Sequence, residues 1–87
     1  MYKFYDSPSH GWLRVPRQEL ISLGIAEKIT AFSYQQDDDV YLEEDYDMSQ
    51  FIYAKVGKAG ARNFLDNEVK TQHVADRRVT ELARYKF

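Results

Sequence analysis

The 87 residues contain no cysteine. That single absence excludes disulfide bridges, thiolate metal sites and cysteine nucleophiles together. A small domain without disulfide staples suits a reducing compartment, and a cytoplasmic location is expected. Proline appears twice and glycine four times, so the chain lacks the composition of a disordered segment. No apolar run approaches the length of a membrane-spanning helix. The opening MYKFYDSPSH has no apolar stretch of the kind that marks a secretory signal. What remains is a chain of 44% apolar and 15% aromatic residues, expected to fold as one domain over residues 1–87 with a thin core.

A net charge of −2 conceals a strong polarity along the chain. Residues 1–53 carry four Lys/Arg against ten Asp/Glu, whereas residues 54–87 carry eight against four. The front is acidic and the tail is basic.

Local patterning predicts the elements. MYKFY alternates and reads as an edge strand; Asp6 to Ser9 is turn chemistry. GWLRV reads as a second strand, with Trp12 and Arg14 on one face and Leu13 and Val15 on the other. Pro16 and Gly24 bracket a short helix as first helical residue and left-handed terminator. KITAFSY and VYLEE read as a β-hairpin whose turn holds Asp37 to Asp39, with Val40 and Leu42 inward and Tyr41 and Glu43 outward. Asp47 and Gln50 resemble a capping box opening a helix over Met48, Phe51, Ile52, Val56 and Ala59, which Gly57 and Gly60 weaken and stop. Glu68 to Val74 alternates like a strand, and residues 76–85 suit a short closing helix. The expected fold is a small α+β domain. It has an antiparallel or mixed sheet of four to five strands, with two to three helices on one face.

Residues 37–47, DDDVYLEEDYD, hold seven of the fourteen acids. No register supplies the oxygen ligands, glycine and terminal glutamate of a calcium-binding loop. Catalytic carboxylates need a shared cleft and one desolvated member, which crowded acids on a small sheet do not provide. Ser9 and His10 are sequence neighbours without a third partner, so no nucleophile–base set is evident and no enzyme is expected. No cofactor or metal is expected either. Two readings stay open for these acids. One is a solvated turn, with Asp45 and Asp47 favoured by the helix N-terminus. The other is a contact surface for a basic groove, made of Asp37, Asp38, Asp39, Glu43, Glu44 and Asp45 with Tyr41 and Tyr46 as anchors. A rival class is nucleic-acid binding by the basic third, through Arg62, Lys70, Arg77, Arg78 and Arg84. Against it, RRVTELARYKF also reads as an amphipathic helix packing Val79, Leu82 and Ala83 on the sheet, and the pI of 5.6 is low for a dedicated DNA binder.

GWLRVP, LGI and VYLEED, at Gly11–Pro16, Leu23–Ile25 and Val40–Asp45, resemble a pattern in small proteins of phages and other mobile elements. The resemblance covers roughly residues 10–54, and the Asp triplet stands where a glycine-containing turn is expected. It implies an inhibitor of bacterial defence of the anti-CRISPR kind. Such a protein, a monomer or small homo-oligomer, would bind a host effector subunit and occlude its nucleic-acid groove. It transfers no residue roles.

Overall fold

In the computed structural model, which describes residues 1–87, strands β1 (Tyr2–Asp6) and β2 (Gly11–Pro16) form an antiparallel hairpin. Its turn is closed by Ser7, whose hydroxyl donates to the His10 carbonyl at 3.0 Å and accepts the His10 N–H at 3.2 Å. Helix α1 (Arg17–Ser22) follows Pro16, which is the last strand residue and N-cap rather than the first helical one. At the other end Gly24 takes φ 72°, and the Gly24 and Ile25 N–H groups bond back to the Ile21 and Leu20 carbonyls. This is a Schellman stop, its apolar clasp made by buried Leu20 and Ile25.

The predicted strand at 28–34 is mostly absent. Residues Ala26–Lys28 form a 3₁₀ turn, and β3 is confined to Tyr34–Gln36. The chain between them curls around a buried carboxylate, described below, whose hydrogen bonds override the local β propensity. Strand β4 (Asp39–Glu43) pairs with β3 across a two-residue loop, Asp37–Asp38. Helix α2 (Asp47–Glu68) runs past the expected stop, but Gly57 at φ 76°, ψ 166° breaks it into two segments. The break turns the second segment so that Phe64 returns to the core, while Val56 and Ala59, expected inside, are exposed. Strand β5 (Val69–His73), helix α3 (Arg77–Thr80) and strand β6 (Ala83–Arg84) complete the chain; only four residues of the expected closing helix are helical.

The sheet is mixed and six-stranded, in order β5-β1-β2-β4-β3-β6. It thus has one strand more than expected. Strand β1 is not at the edge, because β5 pairs beside it in parallel. The helices are also not confined to one face. Leu13, Val15, Val40 and Leu42 pack with Leu20, Ile25, Phe51, Ile52 and Phe64 in one cluster. Tyr5, Trp12, Tyr34 and Tyr41 form a second cluster that is plugged by Val79 of α3. Both faces of this small sheet are therefore covered. No helix is long and apolar enough to cross a membrane.

Candidate functional site

The acidic stretch divides into three physically different parts. At the hairpin tip Asp37 and Asp38 are solvated, and Asp37 adopts φ 54°, a left-handed conformation that Asp tolerates better than most side chains. Asp39 is neutralised: Arg14 Nε and Nη2 donate to its Oδ2 at 2.9 and 2.7 Å. The remaining four acids lie at the far end of β4, about 13 Å along the strand from Asp39. The seven acids do not form one patch.

At that far end two carboxylates are structural. Asp47 is fully buried and accepts the Thr30 N–H at 3.1 Å, the Thr30 hydroxyl at 2.7 Å and the Ser33 hydroxyl at 2.6 Å. Ser33 in turn accepts the Glu43 N–H at 3.0 Å. Glu43 performs the capping assigned to Asp47 by the sequence. Its Oε2 accepts the Asp45 N–H at 2.9 Å, and its Oε1 accepts the Tyr46 and Asp47 N–H groups at 2.6 and 3.0 Å. These donors open α2 and have no intrahelical partners, and a carboxylate also suits the positive end of the helix. Gln50 does not complete a capping box; its amide donates to the Tyr46 hydroxyl at 2.6 Å.

The same network sets two aromatic rings at the surface. Thr30 Oγ1, held by Asp47, accepts the Phe32 N–H at 3.2 Å and so fixes the loop from which Phe32 projects, 72% exposed. Glu43 fixes the backbone of Tyr46, which is 55% exposed. Phe32 and Tyr46, with Trp12, Tyr34, His10, Glu43, Asp45, Thr80 and Arg84, line an open cleft of about 420 Å³. Asp45 makes no ion pair there. Between Glu43 and Asp45 in the chain, Glu44 is raised above the ordinary glutamate value by partial desolvation, and further by Asp45, Asp6 and Glu43, with His10 opposing.

Tyr41 is a correction. It was expected outward, and it does lie on the face opposite Val40 and Leu42, but that face is covered. Its ring is 1% exposed, with Tyr5 5.6 Å away and the Arg14 guanidinium 5.8 Å away. It offers no surface to a partner.

Of the basic set, Lys70, Arg77, Arg78 and Arg84 lie on β5, α3 and β6, whereas Arg62 lies on α2 and pairs with Asp66 at 3.5 Å. Arg78 covers the Tyr5 ring at 5.1 Å and Arg84 the Tyr34 ring at 4.8 Å, with Arg84 Nη1 donating to the Ala31 carbonyl. Tyr5, Trp12 and Tyr41 are too deeply buried in the folded chain to stack on bases. The Ser7 hydroxyl is spent on the turn, and no group of three or more His, Asp or Glu side chains is arranged to hold a metal ion. His73 Nδ1 stands 3.1 Å from Asp6 Oδ2 with both side chains well exposed.

Glu43, Asp45 and Tyr46 are expected contact residues from the sequence, whereas Phe32, Trp12, Tyr34 and His10 join them only in the fold. One signal was present: Phe32 and Tyr34 fall two apart in KITAFSY. What the sequence did not show was that Asp47 would pull that segment out of the sheet.

The architecture defines a small α+β domain with a doubly covered mixed sheet. Comparison with protein-family models, with curated proteins and with solved structures finds no match for the chain.

Proposed function

We propose that this protein is a stoichiometric binding module that docks the Glu43–Tyr46 end of its sheet on a cationic surface of a partner protein. The observation that carries this reading is the cleft. Two large aromatic rings stand exposed beside the unpaired Asp45, and both project from backbone fixed by buried or capping hydrogen bonds. Pre-set aromatic anchors within a charged rim are what interfaces use for affinity, while the charge speeds and orients encounter. Of the chain's own Lys and Arg side chains only Arg84 lines this cleft, and it lies over the Tyr34 ring and donates to the Ala31 carbonyl rather than pairing with a carboxylate. Arg14, Lys55 and Arg62 are committed to Asp39, Glu19 and Asp66.

The setting implied by the phage-like resemblance is inhibition of a bacterial defence effector. The target class is a CRISPR nuclease whose basic nucleic-acid groove is occluded, with the inhibitor acting by binding rather than catalysis. The test is target cleavage by a panel of purified effectors with increasing amounts of the protein. Inhibition should saturate at a fixed ratio, weaken with salt, and be lost on Glu44→Lys with Asp45→Lys. Full activity of every effector, or undiminished inhibition by the charge-reversed variant, would overturn the proposal.

A second reading has one observation in its favour: Lys70, Arg77, Arg78 and Arg84 lie on elements along the sheet face that also carries Lys3 and Arg14. It predicts salt-sensitive binding of single-stranded oligonucleotides. Fluorescence anisotropy at low salt decides it, and a flat titration ends it.

A further inference from the structure

We propose that the cleft between Phe32 and Tyr46 is a receptor for an arginine side chain of the partner. This inference rests on the protein-docking reading above and narrows it to one chemical group.

Three features of the cleft select a guanidinium. Two of its lining rings, Phe32 and Tyr46, stand exposed over the buried Trp12 and Tyr34, and exposed aromatic faces attract cations. Its acidic wall is Glu43 and Asp45, and Asp45 neither makes an ion pair nor receives a hydrogen bond on its carboxylate. These two carboxylates outnumber the single Lys or Arg of the cleft, Arg84. Lastly, Arg84 displays the ring contact within the same cleft, its guanidinium lying 4.8 Å from the centre of the Tyr34 ring while Nη1 donates to the Ala31 carbonyl. A planar, weakly hydrated guanidinium stacks on a ring and bonds a carboxylate at the same time. A compact, strongly hydrated ammonium does this less well. The exposed rings of Phe32 and Tyr46 are left as the unoccupied surface for a second such group.

Trp12 is the only tryptophan and lines the cleft, so its fluorescence and indole N–H resonance report on occupancy. The probes are a capped Arg-Gly-Arg peptide, its Lys-Gly-Lys analogue and its neutral citrulline analogue, titrated at low salt. Saturable perturbation of Trp12 by the arginine peptide is expected, with weaker binding of the lysine peptide and none of the citrulline one. Phe32→Ser should weaken binding by about tenfold, as loss of a cation–ring contact does, and Asp45→Asn by about threefold, as loss of an exposed charge pair does. Both residues are exposed, so the fold is expected to survive, and unchanged unfolding midpoints verify this. The control is Asp37→Asn with Asp38→Asn, which removes charge from the distant hairpin tip and should leave binding nearly intact.

If the tip variant weakens binding as much as the cleft variants, the arginine receptor is overturned while the broader acidic docking surface stands. Equal binding of the lysine and arginine peptides likewise overturns the guanidinium assignment alone. If neither cationic peptide binds at low salt, both this inference and the docking reading fail.

Discussion

Asp47 is the residue on which the most local structure depends. One buried carboxylate gathers donors from Thr30 and Ser33 and thereby replaces a predicted strand by a loop. Hydrogen bonds to a charged group contribute more than neutral ones, and stranded donors in a buried site cost more still. Asp47→Ala is therefore expected to destabilise the domain by about 3 kcal/mol and Asp47→Asn by less, as read from urea unfolding midpoints. Two other acids respond to pH in opposite senses. Burial raises the Glu19 carboxyl, but hydrogen bonds from Tyr2 and Lys55 outweigh it and hold the group below its ordinary value. Its stabilising contribution is present above the unfolded-state pKa and disappears as pH falls through the folded one. Glu44 is raised, so the folded state favours its neutral form and loses stability as pH rises from the unfolded value through the folded one. Thermal midpoints should show Glu19→Gln as destabilising and Glu44→Gln as stabilising at neutral pH. Both differences should shrink once the pH lies below the pKa values of the respective group.

At the scale of the element, α2 is two helices joined by one glycine. The backbone at Gly57 lies where only glycine sits without strain, yet a Cβ there would meet no atom within 4 Å. The cost of Gly57→Ala is thus conformational rather than steric, about 1–3 kcal/mol. Its expected sign is a loss of stability in denaturant melts. A gain would mean that the two segments merge into one straight helix.

The elements also show what local sequence encodes. β2, β4 and α1 were legible because their signals are contained within them: Trp12, Leu13 and Val15 in a short run between Gly11 and Pro16, and Pro16 and Gly24 around a six-residue helix. β3 and the full length of α2 were not, since each depends on a contact with distant residues, Asp47 in one case and the Phe64 pocket in the other. The cleft was half legible for the same reason. Asp45 and Tyr46 announce themselves by charge and exposure, but Phe32 and His10 join them only through the fold.

Across the whole molecule, charge is sorted by position in the sheet as well as by order in the chain. Glu44 and Asp45 at the β4–α2 junction and Asp37 and Asp38 at the hairpin tip are exposed, while Arg78 and Arg84 of the tail lie over the Tyr5 and Tyr34 rings. Binding to a cationic partner should therefore accelerate at low ionic strength through the association rate, with little change in dissociation. Stopped-flow mixing over a salt series measures this. A salt effect confined to dissociation would place the acidic end outside the encounter surface. Because a nearby cation lowers a carboxyl pKa, complex formation at mildly acidic pH should also release protons from Glu44. Calorimetry in buffers of different ionisation enthalpy detects that release.

Both edges of the sheet are built by the last stretch of chain. β1 acquires its outer neighbour only from Val69–His73, and β3 acquires its own only from Ala83–Arg84. During synthesis the ribosome must deliver these residues before either strand is shielded. A growing chain, at roughly 5–20 residues per second, thus spends seconds with two β edges open to other chains. Its exposure to edge-to-edge pairing is greatest in that interval. Ribosome stalling before residue 69 is the condition under which this protein would be most prone to adhere to its neighbours.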